Sequence, residues 1–566
     1  MTGTLLTDEA AEFGDVWQSY WQEVWHHNIS WPAHRLACFL SAEEGRTHSG
    51  RTGGDGLVSD FPRGRRPFLG AITNSARGTA SAQSGVLEYN DDGHLLTIAP
   101  TRSGKGVGQI IPNLLLYAGS CLVIDIKGEN YALTAEHRAN FFTNAQVWKF
   151  APFDEDTAHY NPLDFIRVSP SGEFESYTFD DCRLLAEMLI PGNGSDDFWD
   201  VEARGVLTML LIYVSTKSRP GSLDRSMRAV VKLLSPPTID DTVDAKVLAF
   251  DGTLKRLRNH ADFHEILPLQ AMVTQFSEHD PKLRANILSS CRGALAIWLS
   301  PRLLAATDTT DFQFSDLKRS MCRPIKENPA PTSIYICIPP EYLREYRTVL
   351  RMMVGLAAVE LTRVGDWTSA EKEAAGWFPK PPCPVLFVLD EFPSLGYMAP
   401  IADGVAYLAG YGVQIWTFAQ SLGQLQQIYK DNWTTFISNA GAACYFGATD
   451  PDLCEYLSKQ LGTTEEYEIR YETRSTSNSS SSGSSSSWSL GSGNSTSSSN
   501  DGSSSSNSVS ENVRHKQDPV ATASDIRAMP VSLQLILLRG KRPVLASLVP
   551  FFACEIFQDH YNEWRN

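Results

Sequence analysis

The chain has 566 residues, 42% of them hydrophobic and 20% charged, which is enough for two or three domains with substantial cores. A net charge of −16 excludes a generally basic surface, so contact with DNA would require a local basic lining such as a pore. The ten cysteines form no C-x-x-C pair and no Cys/His cluster at metal spacing, which argues against a zinc site and for a reducing compartment.

The opening "MTGTLLTDEAAEFGD" is acidic where a signal peptide is basic. No apolar run approaches the roughly 18–20 residues needed to span a bilayer, so a cytoplasmic chain is expected. Residues 1–65 form a Trp-rich and Gly/Arg-rich segment. Trp17, Trp21 and Trp25, spaced by four, share one face of a helix, and Trp31 follows. That face either docks on its own domain or is left for a partner or a membrane surface.

Over residues 66–174 the pattern alternates between strand and helix. "LLTIAP" reads as a buried strand, "SGKGVGQIIPNLLLYA" as a turn into a helix, and "SCLVIDIKGE" as a second strand ending in charge. This predicts an α/β fold with a parallel sheet. Over residues 175–315 apolar residues recur at helical spacing, as in "ARGVLTMLLIYV", which predicts an inserted all-α domain. Strands return over 316–566 in "TSIYICIPP", "PVLFVLDEF", "VQIWTFAQ" and "AACYFGAT". Within this last part, residues 474–510 are almost wholly Ser, Gly, Asn and Thr, a composition expected to form a disordered insert. "PVSLQLILLRGKRPVLASLVPFF" then resumes a strand-turn-strand pattern.

"APTRSGKG" carries most of what a phosphate-binding loop requires: a preceding strand, small residues, Gly104 before Lys105, and a following helix. Ala99 stands in place of the first glycine, and Gly106 in place of the hydroxyl residue that ligates Mg²⁺. The apolar strand "PVLFVL" ends in Asp390-Glu391, a pair suited to holding Mg²⁺ and to orienting or deprotonating an attacking water. Together the two stretches predict nucleotide hydrolysis. Gln420, just past the strand "VQIWTFA", is placed to hydrogen-bond the γ-phosphate or that water. Asp125 and Lys127 end another strand, and either line the site or belong to a neighbouring surface. Arg344, Arg347 and Arg351 are candidates for a finger that offsets developing phosphate charge in a neighbouring subunit.

With these motifs on the page, the chain resembles the coupling-protein ATPases of type IV secretion and conjugation, the TraG/VirD class. The likeness runs from about residue 68 to 555. Its carriers are "SARGTA", "APTRSGKGVGQIIPNLL", "VIDIKGENYALTAEHR", "YNPLDFI", "TSIYICIPPEYLREYRTVLR", "FVLDEFPSLG", "AQSLGQL" and "LILLRGKRPVLASLVPFF". A loop ending in Lys-Gly recurs in that class, so Gly106 reads as a family feature. The resemblance implies a RecA-like P-loop NTPase domain interrupted by an all-α domain, using ATP and Mg²⁺. It places Thr101, Arg102, Ser103, Gly104, Lys105, Gly106 and Val107 on the nucleotide, Lys105 on the phosphates, Asp390 on the metal, and Glu391 at the catalytic carboxylate, with Gln420 beside it.

The implied assembly is a homo-oligomer, hexameric when active, whose closure depends on DNA or partners. Its implied partners are relaxase-bound single-stranded DNA or effector proteins, and channel components at the inner membrane. Most members carry N-terminal transmembrane helices, and none is visible here, so peripheral association through partners is expected. Two other functions remain compatible with the residues: a cargo-docking receptor that binds ATP with negligible hydrolysis, and a DNA translocase unrelated to secretion.

Overall fold

The computed structural model describes residues 58–59, 66–72, 85–141, 144–192, 198–216, 224–237, 243–260, 262–321, 331–363, 383–479, 504–553 and 557. The expectations for Trp17, Trp21, Trp25 and Trp31 fall outside them. In chain order the strands are β1 (Val58–Ser59), β2 (Phe68–Ile72), β3 (Gly85–Glu88), β4 (His94–Ile98), β5 (Cys121–Ile124), β6 (Gln146–Phe150) and β7 (Thr332–Ile336). They continue with β8 (Val385–Leu389), β9 (Val413–Ala419), β10 (Ala440–Tyr445), β11 (Thr463–Ser479), β12 (Ser504–Pro519), β13 (Leu533–Leu538) and β14 (Val544–Ser547).

Twelve of these build one sheet in the order β1-β3-β2-β14-β13-β10-β4-β9-β8-β5-β7-β6. From β10 to β6 every neighbouring pair is parallel, and from β10 to β1 every pair is antiparallel. The apolar runs read from the sequence are continuous because both faces of the parallel part are covered. Successive side chains point to opposite faces. Leu96, Ile98, Leu122, Ile124, Phe387 and Leu389 enter one core, and Leu95, Val123, Leu386, Val388, Trp416 and Phe418 enter the other.

The second face is covered by α1 (Ile111–Leu116) and α2 (Glu129–Phe141). A π-helical turn, Gly106–Ile110, leads into α1, with the Ile111 amide donating to the Gly106 carbonyl. Pro112 supplies the local reason: it has no N–H for an α-helical bond to residue 108, so the chain widens by one residue before α1 starts.

The first face meets a helical block. Between Thr178 and Ala306 the described residues hold α3 (Thr178–Leu189), α4 (Phe198–Ser215), α5 (Met227–Leu234), α6 (Val243–Arg258), α7 (Leu267–Glu278), α8 (Pro281–Ala294) and α9 (Pro301–Ala306), and no strand. α4 is buried on nearly all sides from Val206 to Ser215, as its unbroken apolar sequence requires. Local starts are set by side chains: Ser226 accepts from the Ala229 amide, and Asp280 accepts from the Lys282 and Leu283 amides ahead of Pro281. The remaining helices are α10 (Leu343–Thr362), α11 (Ala399–Gly404), α12 (Leu422–Tyr429), α13 (Trp433–Asn439), α14 (Pro451–Leu461) and α15 (Ala523–Arg527).

The Ser-rich stretch departs from expectation. β11 and β12 pair as an antiparallel hairpin that continues from Thr463↔Pro519 out to Ser479↔Ser504, so residues 474–479 and 504–510 are extended and paired. Backbone pairing needs no apolar side chain, which is why composition alone did not reveal it. Residues 480–503 lie outside the described residues. The seven described cysteines are all buried and free. Among the described residues no helix is long and apolar enough to cross a membrane.

Arg138, at the end of "ENYALTAEHR", is fully buried. Its guanidinium donates to the Leu114, Tyr117 and Gly119 carbonyls at 2.7–2.8 Å and to Ser333 Oγ at 2.6 Å. It thereby ends α1 and ties it to β7. Arg138→Met keeps an unbranched stem but removes these donors, and each buried acceptor left unmet costs about 1–3 kcal/mol. Urea unfolding of the variant is expected to show a loss of about 3 kcal/mol or more. A loss under about 1 kcal/mol would mean that other donors replace the guanidinium.

Candidate active site

Four parallel strands end together. Ile98 pairs with Ala419, Leu389 with Thr417, and Ile124 with Leu389, so the segments after β4, β9, β8 and β5 leave the same edge of the sheet. Those segments carry the phosphate-loop sequence, Gln420, Asp390-Glu391 and Asp125. The carboxyl edge of a parallel sheet is where such folds place ligands.

In the loop, Thr101 and Arg102 are exposed, and Arg102 has a positive φ of 60°. Ser103 Oγ donates to the Pro100 carbonyl at 2.6 Å, tying the loop to itself. Gly104 has φ +99°, a conformation a side chain rarely adopts. A Cβ placed on Gly106 would meet nothing within 4 Å, so that position opens onto free space. Val107 packs on the small core around Ile111 and Leu115, with its Cγ2 beside Gly104.

Lys105 is 8% exposed. Its ammonium lies 3.5 Å from Glu391 Oε1 and has no hydrogen-bond acceptor. Glu391 Oε2 accepts from Gln420 Nε2 at 2.8 Å. The structure therefore brings Lys105, Glu391 and Gln420 into one chain of contacts. The Glu391 amide donates to Asp390 Oδ1 at 2.9 Å, and Glu391 itself adopts a left-handed conformation (φ 48°, ψ 39°), a strained state for a residue with a side chain.

Burial, reinforced by the neighbouring Glu391 charge, raises the Asp390 carboxyl to about 6, against the pull of Lys105 and Lys127. Asp125 is likewise raised to about 6, chiefly by burial. Its two oxygens accept from the Tyr131 amide at 2.8 Å and from Asn130 Nδ2 at 3.3 Å, so Asp125 organises the start of α2 beside the site. Lys127 is exposed nearby.

The three arginines separate. Arg344 is exposed. Arg347 lies against Gly396, in the loop that follows Glu391, and Arg351 Nη1 donates to the Tyr397 carbonyl at 3.4 Å. Both are thus engaged with their own chain.

The residues fit a nucleotide with its metal. A buried ammonium without an acceptor and an open Gly106 suit a phosphate. Among the described residues no group of three His, Cys, Asp or Glu side chains forms a metal site, so a cation on Asp390 would take its other ligands from phosphate and water, the habit of Mg²⁺.

Sequence reading missed what holds the loop from behind. Trp416 Nε1 donates to Thr97 Oγ1 (2.9 Å), Thr97 to Gln109 Oε1 (2.8 Å), Gln109 Nε2 to Gln534 Oε1 (2.8 Å), and Gln534 to the Leu69 carbonyl. Asn113, one turn after Gln109, exchanges hydrogen bonds with the Phe68 backbone at 2.7 and 2.8 Å. The available signal was two amides four residues apart in the otherwise apolar "GVGQIIPNLLL".

Comparison with known proteins follows this geometry. The chain is 29% identical over 398 residues to protein VirD4 of Agrobacterium fabrum, covering 69% of this chain and 52% of that protein. It is 27% identical over 383 residues to the conjugal transfer protein TraG of Escherichia coli, covering 67% and 56% respectively. The chain thus spans about half the length of the curated relatives it matches. Among solved structures, the bacterial conjugative coupling protein TrwB superimposes with a TM-score of 0.52 at 16% identity, over 81% of this chain and 85% of that one. The two share a fold, a RecA-like P-loop NTPase with a helical domain. The family model for type IV secretory system conjugative DNA transfer matches residues 69–566, and the chain belongs to that family.

Proposed function

We propose that this chain is a type IV coupling protein: an ATP-hydrolysing motor and receptor that passes relaxase-bound single-stranded DNA or effector proteins to a secretion channel. The observation that carries the catalytic part is the contact chain Lys105–Glu391–Gln420 at the shared edge of β4, β8 and β9. TrwB, which has this fold, has been solved with ADP and Mg²⁺ and with the ATP analogue ADPNP, which supports nucleotide use here.

In this reading the amides of residues 101–107 and the Lys105 ammonium hold the phosphates. Asp390 holds Mg²⁺, which supplies charge neutralisation to the phosphates when bound. Glu391 accepts a proton from, or orients, the attacking water, and Gln420 fixes the carboxylate's rotamer through its 2.8 Å bond. The helical segment 175–315 selects cargo, being the part least committed to nucleotide chemistry. Arg344, exposed at the start of α10, is the finger candidate for a neighbouring subunit of a hexamer. Work at the cytoplasmic side of the inner membrane, reached through partners, completes the proposal.

The first test is turnover with single-stranded DNA, duplex DNA and no DNA. Glu391→Gln is expected to retain fluorescent-ATP binding while losing at least about a hundredfold in turnover. Lys105→Ala is expected to lose turnover and nucleotide binding at this site. Wild-type binding without turnover under every condition would replace the motor with a docking receptor.

The second test is pH dependence. Asp390 ordinarily titrates at 3.8 and is raised to about 6 in the folded chain. Between those values the folded state holds more protons than the unfolded one, so rising pH removes stability through that window, and the full cost persists above it. Without nucleotide, Asp390→Asn is therefore expected to melt above wild type at pH 7.5, with the gap closing as pH falls towards 4. A gap that does not change with pH would show that the buried carboxyl is not the titrating group.

A further inference from the structure

A cleft of about 540 Å³ lies between the helical segment and the loop that follows Glu391. Met188 of α3, Arg204 of α4, Arg351 and Val359 of α10, and Tyr397 and Tyr407 line it. Its volume lies in the range of small-molecule sites. None of these residues belongs to the Lys105–Glu391–Gln420 constellation.

We infer that this cleft binds a nucleoside phosphate, with the base against Tyr397 and Tyr407 and the phosphate on the Arg351 guanidinium. The pairing of Arg351 is the first argument. Neither Arg351 nor Arg347, one turn earlier, has a carboxylate within 4.0 Å among the described residues. The Nε atoms of both are enclosed without an acceptor. The two hydrogen bonds that Arg351 makes are long, 3.4 Å to the Tyr397 carbonyl and 3.3 Å to Thr348 Oγ1. Burial, with the adjacent Arg347 charge, pushes the Arg351 guanidinium's pKa down, the direction expected for a cation that lacks a counter-ion. A phosphate would supply one in the geometry a guanidinium fork prefers.

The mouth supplies the second argument. Tyr407 is 49% exposed. Burial, with the Asp403 carboxylate that also lines the cleft, raises both Tyr397 and Tyr407. The other lining carboxylate, Glu187, is paired with Arg183 at 3.6 Å. Two phenols and an underpaired guanidinium lining one cleft match a ligand that joins a planar ring to an anion. A nucleotide has that chemistry, whether free or as one unit of a single strand. For the strand source, the inference rests on the DNA-handling function proposed above.

The experiment uses the full chain and two probes, a labelled (dT)12 and a fluorescent ADP, with binding read by anisotropy. Tyr407→Ala is the main variant because its exposure makes misfolding avoidable, and a thermal melt checks this. Weakening of (dT)12 binding by about tenfold in Tyr407→Ala, and by at least as much in Arg351→Gln, supports the cleft with a strand as ligand. Fluorescent-ADP binding that survives in Lys105→Ala and disappears in Lys105→Ala/Tyr407→Ala supports the cleft with a free nucleotide. If Tyr407→Ala folds like wild type and alters neither probe, the inference is overturned. A wild-type chain that binds no (dT)12 and gains no turnover from DNA overturns the DNA-handling function instead, and the cleft is then decided by the ADP arm.

Discussion

The register that sets Ile98 beside Ala419, Thr417 beside Leu389, and Leu389 beside Ile124 is the constraint on which the site depends. Strands in parallel pairs slip only by moving their buried residues to the wrong face. Here both faces are filled, Leu96 and Ile98 packing on one side and Leu95 and Trp416 on the other, so the ends of the strands are held level from above and below. Four segments distant in sequence therefore leave the sheet together, and their first residues meet at one edge.

A level edge does not by itself shape the phosphate loop. That shape comes from behind, where a chain of side-chain hydrogen bonds runs from Trp416 through Thr97 and Gln109 to Gln534 in the antiparallel wing. Each group in this chain is buried, so breaking one link leaves its neighbours unsatisfied in a low-dielectric interior. Gln109 sits in the π-turn that Pro112 enforces, and Arg138 closes the far end of α1. The helix that presents its amide end to the site is thus fixed at both termini. This accounts for the antiparallel strands β13 and β2 belonging to the same functional unit as the parallel core.

The sequence made the central sheet legible because strands buried on both faces are written as short apolar runs, and because charge placed just after such a run stands out. Asp390-Glu391 stands out by that contrast, Lys105 by the small residues of its loop, and Gln420 by its place just past a strand. What could not be read was side-chain direction. Arg344, Arg347 and Arg351 looked equivalent, but helical phase leaves the first exposed and turns the other two onto the backbone at Gly396 and Tyr397. Asp125 was open between site and surface because its role depends on Asn130 and Tyr131, which only the turn into α2 brings back to it. The Ser-rich stretch misled for the opposite reason. Its composition argues against a core, but the hairpin of β11 and β12 is recorded in backbone pairing, to which composition is blind.

The contact between Lys105 and Glu391 also bears on how binding and hydrolysis are linked in the proposed motor. One ammonium serves a carboxylate at 3.5 Å without hydrogen-bond geometry, and the same ammonium is the group placed to meet phosphate. A phosphate oxygen carries more negative charge and offers acceptors at closer range, so it competes for Lys105 and lessens the pull on Glu391. Glu391 then retains Gln420 as its partner, at 2.8 Å and on the opposite oxygen, which keeps the carboxylate aimed while leaving Oε1 available to a water. Glu391 makes both contacts from a left-handed backbone. In the proposed motor, the charge that would recognise the nucleotide is therefore the charge that restrains the proposed base until the nucleotide arrives.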